Sequence, residues 1–363
     1  MPVLRQATRT RLNLARNISC SLEQDPKVLA VIATGSVARN RCSRNSDLDL
    51  TVITADQGIR RSVTSEKRQG VVIDIEWLTQ RRALSIVKGG KRDLKGLREA
   101  SRLGLGVFLL DRDSFESNFR TLAVNLLPDR VMIEQRMVAL SSILAELSSK
   151  RPKHNGGHWE LYRAQVDNLA FVFLTLHPFR YQKPKWVMAD LSAAGYHSLS
   201  SLLRKAYRIG SDSSHASGRS LEMSREFIEE MGILMKLPGF ESMLQRGFTR
   251  KYAAWSYICR TWDDAKSLFQ DKAFMEASFT AKFAVRMSFS FYLETCRSKG
   301  RSTNPVEILQ EMGDARLSKI YQQLFPIPHN RPHLHEKILR EIFGWTEICW
   351  TLKRRAYSKI CPN

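Results

Sequence analysis

Two aspartates, Asp47 and Asp49, stand two residues apart in IATGSVARNRCSRNSDLDLTVI, residues 32–53. Leu48 and Leu50 alternate with them. On a β-strand alternate side chains share a face, so the leucines enter a core while both carboxylates project together. Two anions held side by side repel, and burying them unpaired is costly. A divalent cation removes that conflict. A site built from carboxylate oxygens, without Cys or His, suits Mg²⁺.

A third acid is available downstream. In Val71–Trp77 (VVIDIEW), Asp74 and Glu76 share one face and Val71, Ile73, Ile75 and Trp77 the other. An antiparallel neighbour of this kind sets one of the two beside Asp47 and Asp49. Spacing leaves both Asp74 and Glu76 open for that place. Three carboxylates can hold two Mg²⁺ ions ~3.5–4 Å apart. Such a pair binds a triphosphate and lowers the pKa of an attacking hydroxyl. Upstream, Gly35-Ser36 ends an apolar run. The glycine permits close backbone approach to phosphates, and the turn amides with the Ser36 hydroxyl form a cradle. Arg39, Arg41 and Arg44, between that turn and the aspartates, are candidates for binding pyrophosphate.

These residues need a scaffold. Val28–Thr34 reads as a buried strand and Leu48–Thr54 as a half-buried one. Val71–Leu78 is a third, and Leu105–Leu110 a fourth, closed by Asp111-Arg112-Asp113. A basic helical stretch, Thr79–Gly104, lies between the last two. Residues 1–128 thus form a small mixed α/β domain. Beyond it apolar residues recur at helical intervals, in Val131–Leu147, His158–Leu176, Ser200–Arg208, Met223–Leu237, Arg250–Phe269, Ala277–Cys296, Pro305–Leu324 and His335–Arg355. Gly210–Gly218 (GSDSSHASG) is a flexible loop by composition. Residues 129–363 therefore form a larger all-helical domain, with a sub-boundary near 210–220, and the chain as a whole is α+β.

GSVARNRCSRNSDLDLTVI resembles the DNA polymerase β-type nucleotidyltransferase superfamily, whose hallmark is Gly-Ser, a paired-aspartate strand and a later third carboxylate. It is most similar to the branch holding the aminoglycoside, lincosamide and minimal nucleotidyltransferases. The similarity covers most of residues 28–113. It implies an enzyme in which Gly35 and Ser36 bind triphosphate and Asp47, Asp49 and Asp74 ligate metal. A fainter likeness at Tyr162–Leu191 implies a helical domain in which Lys185 reaches the triphosphate. In the same region Glu160, Arg163 and Asp167 form one polar stripe, and Glu160 or Asp167 is a candidate general base.

The rest of the chain narrows the acceptor. Its 363 residues carry 57 Lys and Arg against 36 Asp and Glu, a net +21. The excess is spread: cut after Arg130, the two parts carry +9 and +12. That field attracts triphosphates and other polyanions and disfavours a polycationic acceptor. A hydroxyl on a neutral or anionic small molecule, an antibiotic or a metabolite, is expected to receive AMP from ATP. Alternatives are RNA, approached through the basic stretch Arg81–Arg102, and nucleotidylation of a partner protein. No apolar run reaches the ~18 residues of a membrane span, so no membrane partner is expected. Six scattered cysteines without CxxC spacing read as reduced thiols and a cytoplasmic location. MPVLRQATRTRLNLARN lacks the apolar segment of a signal and reads as an amphipathic helix with Leu4, Leu12, Leu14 and Ile18 inward.

Overall fold

The computed structural model describes residues 2–55, 62–89, 93–148, 158–177, 183–207, 209, 213–246, 252–296, 305–311, 313–325 and 332–360. The chain forms two compact units, one of Met1–Gln135, Ala170–Tyr181 and Ile348–Asn363, the other of Arg136–Leu169 and Gln182–Glu347.

The first unit is built on a five-stranded mixed sheet. Its elements run α1 (Pro2–Leu22), β1 (Val28–Ala33), α2 (Gly35–Ala38), β2 (Leu48–Thr54), β3 (Ser62–Arg68), β4 (Val71–Thr79), α3 (Gln80–Val87), α4 (Leu94–Gly104), β5 (Val107–Asp111) and α5 (Phe115–Asn125). Strand order is β3-β4-β2-β1-β5. One sheet face is sealed by α1: Leu14, Ala15 and Ile18 pack with Val31, Ala33, Leu48, Leu50, Val52, Ile73 and Ile75. That burial fixes which residues of β2 and β4 face the other way. Side chains cap the helices that follow. Thr79 Oγ1 accepts from the Arg82 amide at 3.2 Å. Asp93 Oδ1 accepts from Gly96 at 2.7 Å. The Asp111 carboxylate takes the Phe115 and Glu116 amides at 2.7 and 3.0 Å. Each satisfies amides a helix start leaves open.

The sheet departs from expectation in one pairing direction and in one additional strand. The neighbour of β2 is parallel: Leu48 pairs with Ile73, Asp49 with Asp74 and Thr51 with Glu76. The cause is β3, which alternation does not reveal. SVTSEKR has one apolar residue, and its side chains are mostly exposed. It returns to β4 through Gln69 and Gly70, both at positive φ, as the tightest hairpins require. The extra reversal leaves β4 running with β2 rather than against it.

The second unit is helical. Beyond α6 (Arg130–Ser148) and α7 (His158–Leu176) come α8 (Val187–Ala193), α9 (His197–Ala206), α10 (Ser214–Leu234), α11 (Phe240–Arg246), α12 (Ala253–Gln270), α13 (Phe274–Cys296), α14 (Pro305–Glu311), α15 (Ala315–Leu324) and α16 (Pro332–Ile360). Helices α6, α7 and α16 have residues in both units. Within the second, Trp255, Phe227, Phe289, Tyr321 and Phe325 are buried. A Cβ at Gly232 would stand 2.7 Å from the Trp255 ring, so the small residue lets α10 approach α12. Ser214–Gly218, expected as loop, opens α10. Ser213 Oγ caps it at Ala216, and local bonding of this kind turns a Ser-rich run into a helix start; Ser217 Oγ donates to the distant Phe274 O at 2.8 Å. The single helix expected over Pro305–Leu324 is two, separated around Gly313 at φ 77°. No helix among the described residues is long and apolar enough to cross a membrane.

Candidate active site

The sheet brings Asp47, Asp49 and Asp74 together. Each offers a carboxylate oxygen, and the three oxygens lie within 4.8 Å of one another. The geometry follows from parity. Leu48, Leu50, Ile73 and Ile75 are in the core under α1, so Asp49 and Asp74, register partners across β2 and β4, emerge on the opposite face. Asp47 precedes the first residue of β2. All three are half-buried.

Glu76 is committed elsewhere. Two residues further along β4, its carboxylate receives Arg102 of α4 in a close ion pair. The Glu76 side chain is 7% exposed, and a carboxylate that deep needs such a partner. Its register partner Thr51 is fully buried, with no hydrogen-bond partner for Oγ1 among the described residues. The two acids that the sequence left as alternatives therefore have different surroundings. Asp74 faces the aspartate pair and Glu76 faces an arginine.

Beside the acids, Gly35 adopts φ 65°, in the left-handed region that side chains disfavour. A Cβ there would lie 2.2 Å from Asp49 Oδ2. The turn is tied to the strand by the Thr34 amide, which donates to Asp49 O at 2.9 Å. Ser36 is buried, and its Oγ accepts from Cys42 Sγ at 3.4 Å. Arg44 is exposed, and its carbonyl accepts from Arg11 Nη2 at 2.5 Å.

The remaining candidates belong to the second unit. Lys185, on a short 3₁₀ turn, donates to Asp264 Oδ2 at 2.8 Å. Glu160 lies on α7, but its side chain is outside the described residues; Asp167 on the same helix is half-buried.

Reasoning from sequence missed Thr8 and Arg11 of α1, which contact the segment leading into Asp47, and Arg102. For Arg11 a signal was present. Leu4, Thr8, Arg11, Ala15 and Ile18 recur at helical intervals, and an arginine in the middle of a buried stripe is rarely idle.

The donor set fits a divalent cation. Three hard carboxylates converge on one sheet face, and Gly35 leaves open the space a Cβ would fill. An acidic triad beside a Gly-Ser turn, with a helix behind the sheet, is an arrangement that could hold a divalent cation against a phosphate-bearing ligand. Residues 14–99 match the family model described as "Nucleotidyltransferase domain". The protein is a nucleotidyltransferase. Among solved structures it is similar to a nucleotidyltransferase-like protein from Exiguobacterium sibiricum, at 13% identity over 90% of this chain and 91% of that one, with a TM-score of 0.25. No curated protein matches the chain.

Proposed function

We propose that the protein transfers a nucleoside monophosphate, AMP from ATP, to a hydroxyl of a small neutral or anionic molecule and releases pyrophosphate. The observation that carries this reading is the convergence of Asp47, Asp49 and Asp74 against Gly35. Held by these carboxylates, Mg²⁺ (two ions) would supply charge for the triphosphate and a lower pKa for the acceptor hydroxyl.

The chain's own residues do the positioning. Gly35 and the amides after it admit the triphosphate close to the acids, and Ser36 and Arg44 are the side chains proposed to bind it. In the transfer, the acceptor oxygen bonds to the α-phosphorus and the bond from that phosphorus to the bridging oxygen breaks. The pair of electrons leaves on pyrophosphate, and the hydroxyl proton passes to a base, for which Glu160 is proposed. Lys185 is the proposed triphosphate ligand of the helical unit. The Lys185 role rests on the family resemblance, and the Glu160 role on the polar stripe that its position shares with Arg163 and Asp167 in the sequence. The acceptor class rests on charge: with +9 and +12 on the two parts of the chain, a polycationic acceptor meets a repelling field.

The test is incubation with each labelled triphosphate and Mg²⁺, with pooled metabolites and total RNA as separate acceptors. Pyrophosphate release should require the metabolite pool and vanish in Asp47→Asn and Asp49→Asn. Full turnover in both folded variants would sink the reading. Labelling of RNA alone would replace the acceptor class.

A further inference from the structure

Asp47 has a positional problem that Asp49 and Asp74 do not. Those two sit inside β2 and β4, paired in register. Asp47 lies before β2 begins, so no strand ladder holds it, while two neighbouring carboxylates push it away.

Helix α1 supplies what the ladder lacks. Thr8 and Arg11 are on its buried face. A buried guanidinium is costly unless its donors are used, and this one uses them on backbone. Arg11 Nε donates to Ser46 O at 2.6 Å, Nη2 to Arg44 O at 2.5 Å, and Nη1 to Ala7 O of its own helix at 3.2 Å. Thr8 Oγ1 accepts from the Cys42 amide at 3.1 Å and donates to Leu4 O at 2.8 Å. The segment Cys42–Ser46 is thus gripped at both ends. It is also closed on itself, by the Ser43 amide to Ser46 Oγ at 2.9 Å and the Ser46 amide to Ser43 O at 3.1 Å. One end is bonded to Asp47. The other reaches the Gly-Ser turn, through Cys42 Sγ to Ser36 Oγ.

We propose that Arg11, assisted by Thr8, is a positioning residue for the acidic site, clamping Cys42–Ser46 so that the Asp47 carboxylate meets Asp49 and Asp74. The inference rests on the nucleotidyl-transfer reading of that site. Both residues precede the span matched by the family model, residues 14–99. Arginine is required because its planar fork serves two carbonyls at once, whereas an ammonium is a single point of charge. The clamp acts through backbone, so its loss displaces Asp47 without removing a ligand.

The experiment uses the full chain as Arg11→Met, Arg11→Lys and Thr8→Val, with Asp47→Asn as control. It follows Mn²⁺ binding without nucleotide by electron paramagnetic resonance, turnover, hydrogen exchange at 42–47 and thermal unfolding. Arg11→Met should weaken Mn²⁺ binding by about 10–100-fold, the range for residues that orient metal ligands. It should lower kcat by roughly 100-fold, the effect of an ångström's misplacement, with KM for the triphosphate little changed. Arg11→Lys should recover part of both losses, and Thr8→Val should speed exchange at the Cys42 amide and weaken Mn²⁺ binding less. Folded variants that unfold at lower temperature yet bind Mn²⁺ and turn over as wild type does would overturn the proposal. If Arg11→Met does not fold, unchanged Mn²⁺ binding in the other two overturns it equally. Wild-type protein showing no Mn²⁺ binding that Asp47→Asn removes would instead overturn the underlying reading, and the clamp with it.

Discussion

Gly35 has no room for a side chain, because Asp49 Oδ2 stands 2.2 Å from where its Cβ would be. The close approach joins the two parts of the site, the turn after β1 and the acids at the start of β2. Its consequence is specific. Gly35→Ala must either keep the positive φ, at a cost of about 1–2 kcal/mol, and push the Asp49 carboxylate aside, or rearrange the turn. We expect a folded protein with modestly lower stability and turnover reduced on the order of 100-fold or more, seen by kinetics alongside circular dichroism.

The different surroundings of Asp74 and Glu76 predict different losses. Asp74→Asn should abolish turnover with little change in stability. Glu76→Gln should retain Mn²⁺ binding but lower stability by about 1–3 kcal/mol, since it leaves Arg102 without its buried partner; Arg102 is itself 29% exposed, which moderates the cost. Urea unfolding and metal titration on the two variants separate these outcomes. Metal binding lost in Glu76→Gln and kept in Asp74→Asn would reverse the assignment.

Repulsion within the triad should make the metal a stabiliser of the fold. A ligand bound by the native state alone contributes about 2.7 kcal/mol when its free concentration is about 100 times its Kd. Mg²⁺ should therefore raise the melting temperature of the wild type, chelation should reverse the gain, and Asp47→Asn or Asp49→Asn should show a much smaller shift. Scanning calorimetry with and without Mg²⁺ checks this without any acceptor.

In the helical unit, His335 is buried against Gln165, whose amide is 3.2 Å from Nδ1, and against the Tyr207 ring. Burial, and then the Arg286 charge, lowers its pKa from 6.5 to about 4. The unfolded chain therefore takes up a proton near pH 6.5 that the folded chain refuses until about pH 4. Stability is full above that upper value and falls as pH drops toward the lower one, by about 3 kcal/mol in all. Melting temperatures between those limits should show the slope in wild type and its loss in His335→Gln.

Much of this protein is local and therefore legible in its residues. The run VLAVIATGS, the alternation LDLTVIT and the pattern VVIDIEWL each state a strand and its inward face, because core leucines and isoleucines leave their neighbours only the other side. Of the three carboxylates the structure unites, spacing singles out Asp47 and Asp49 and narrows the third to Asp74 or Glu76. The long helices were legible for the same reason, with boundaries blurred where a serine cap or a glycine break decides them.

What tertiary structure alone decided was direction and partnership. Strand β3 lacks an apolar rhythm because it is exposed, so nothing in SVTSEKR announces the reversal that makes β2 and β4 parallel. Glu76 and Asp74 share a strand face and a carboxylate group; the tertiary placement of Arg102, 26 residues beyond Glu76, separates them. Arg11 meets Ser46 across 35 residues. Periodicity records what a side chain faces, core or solvent, but not which distant atom waits there, since that depends on how separate elements close around one another.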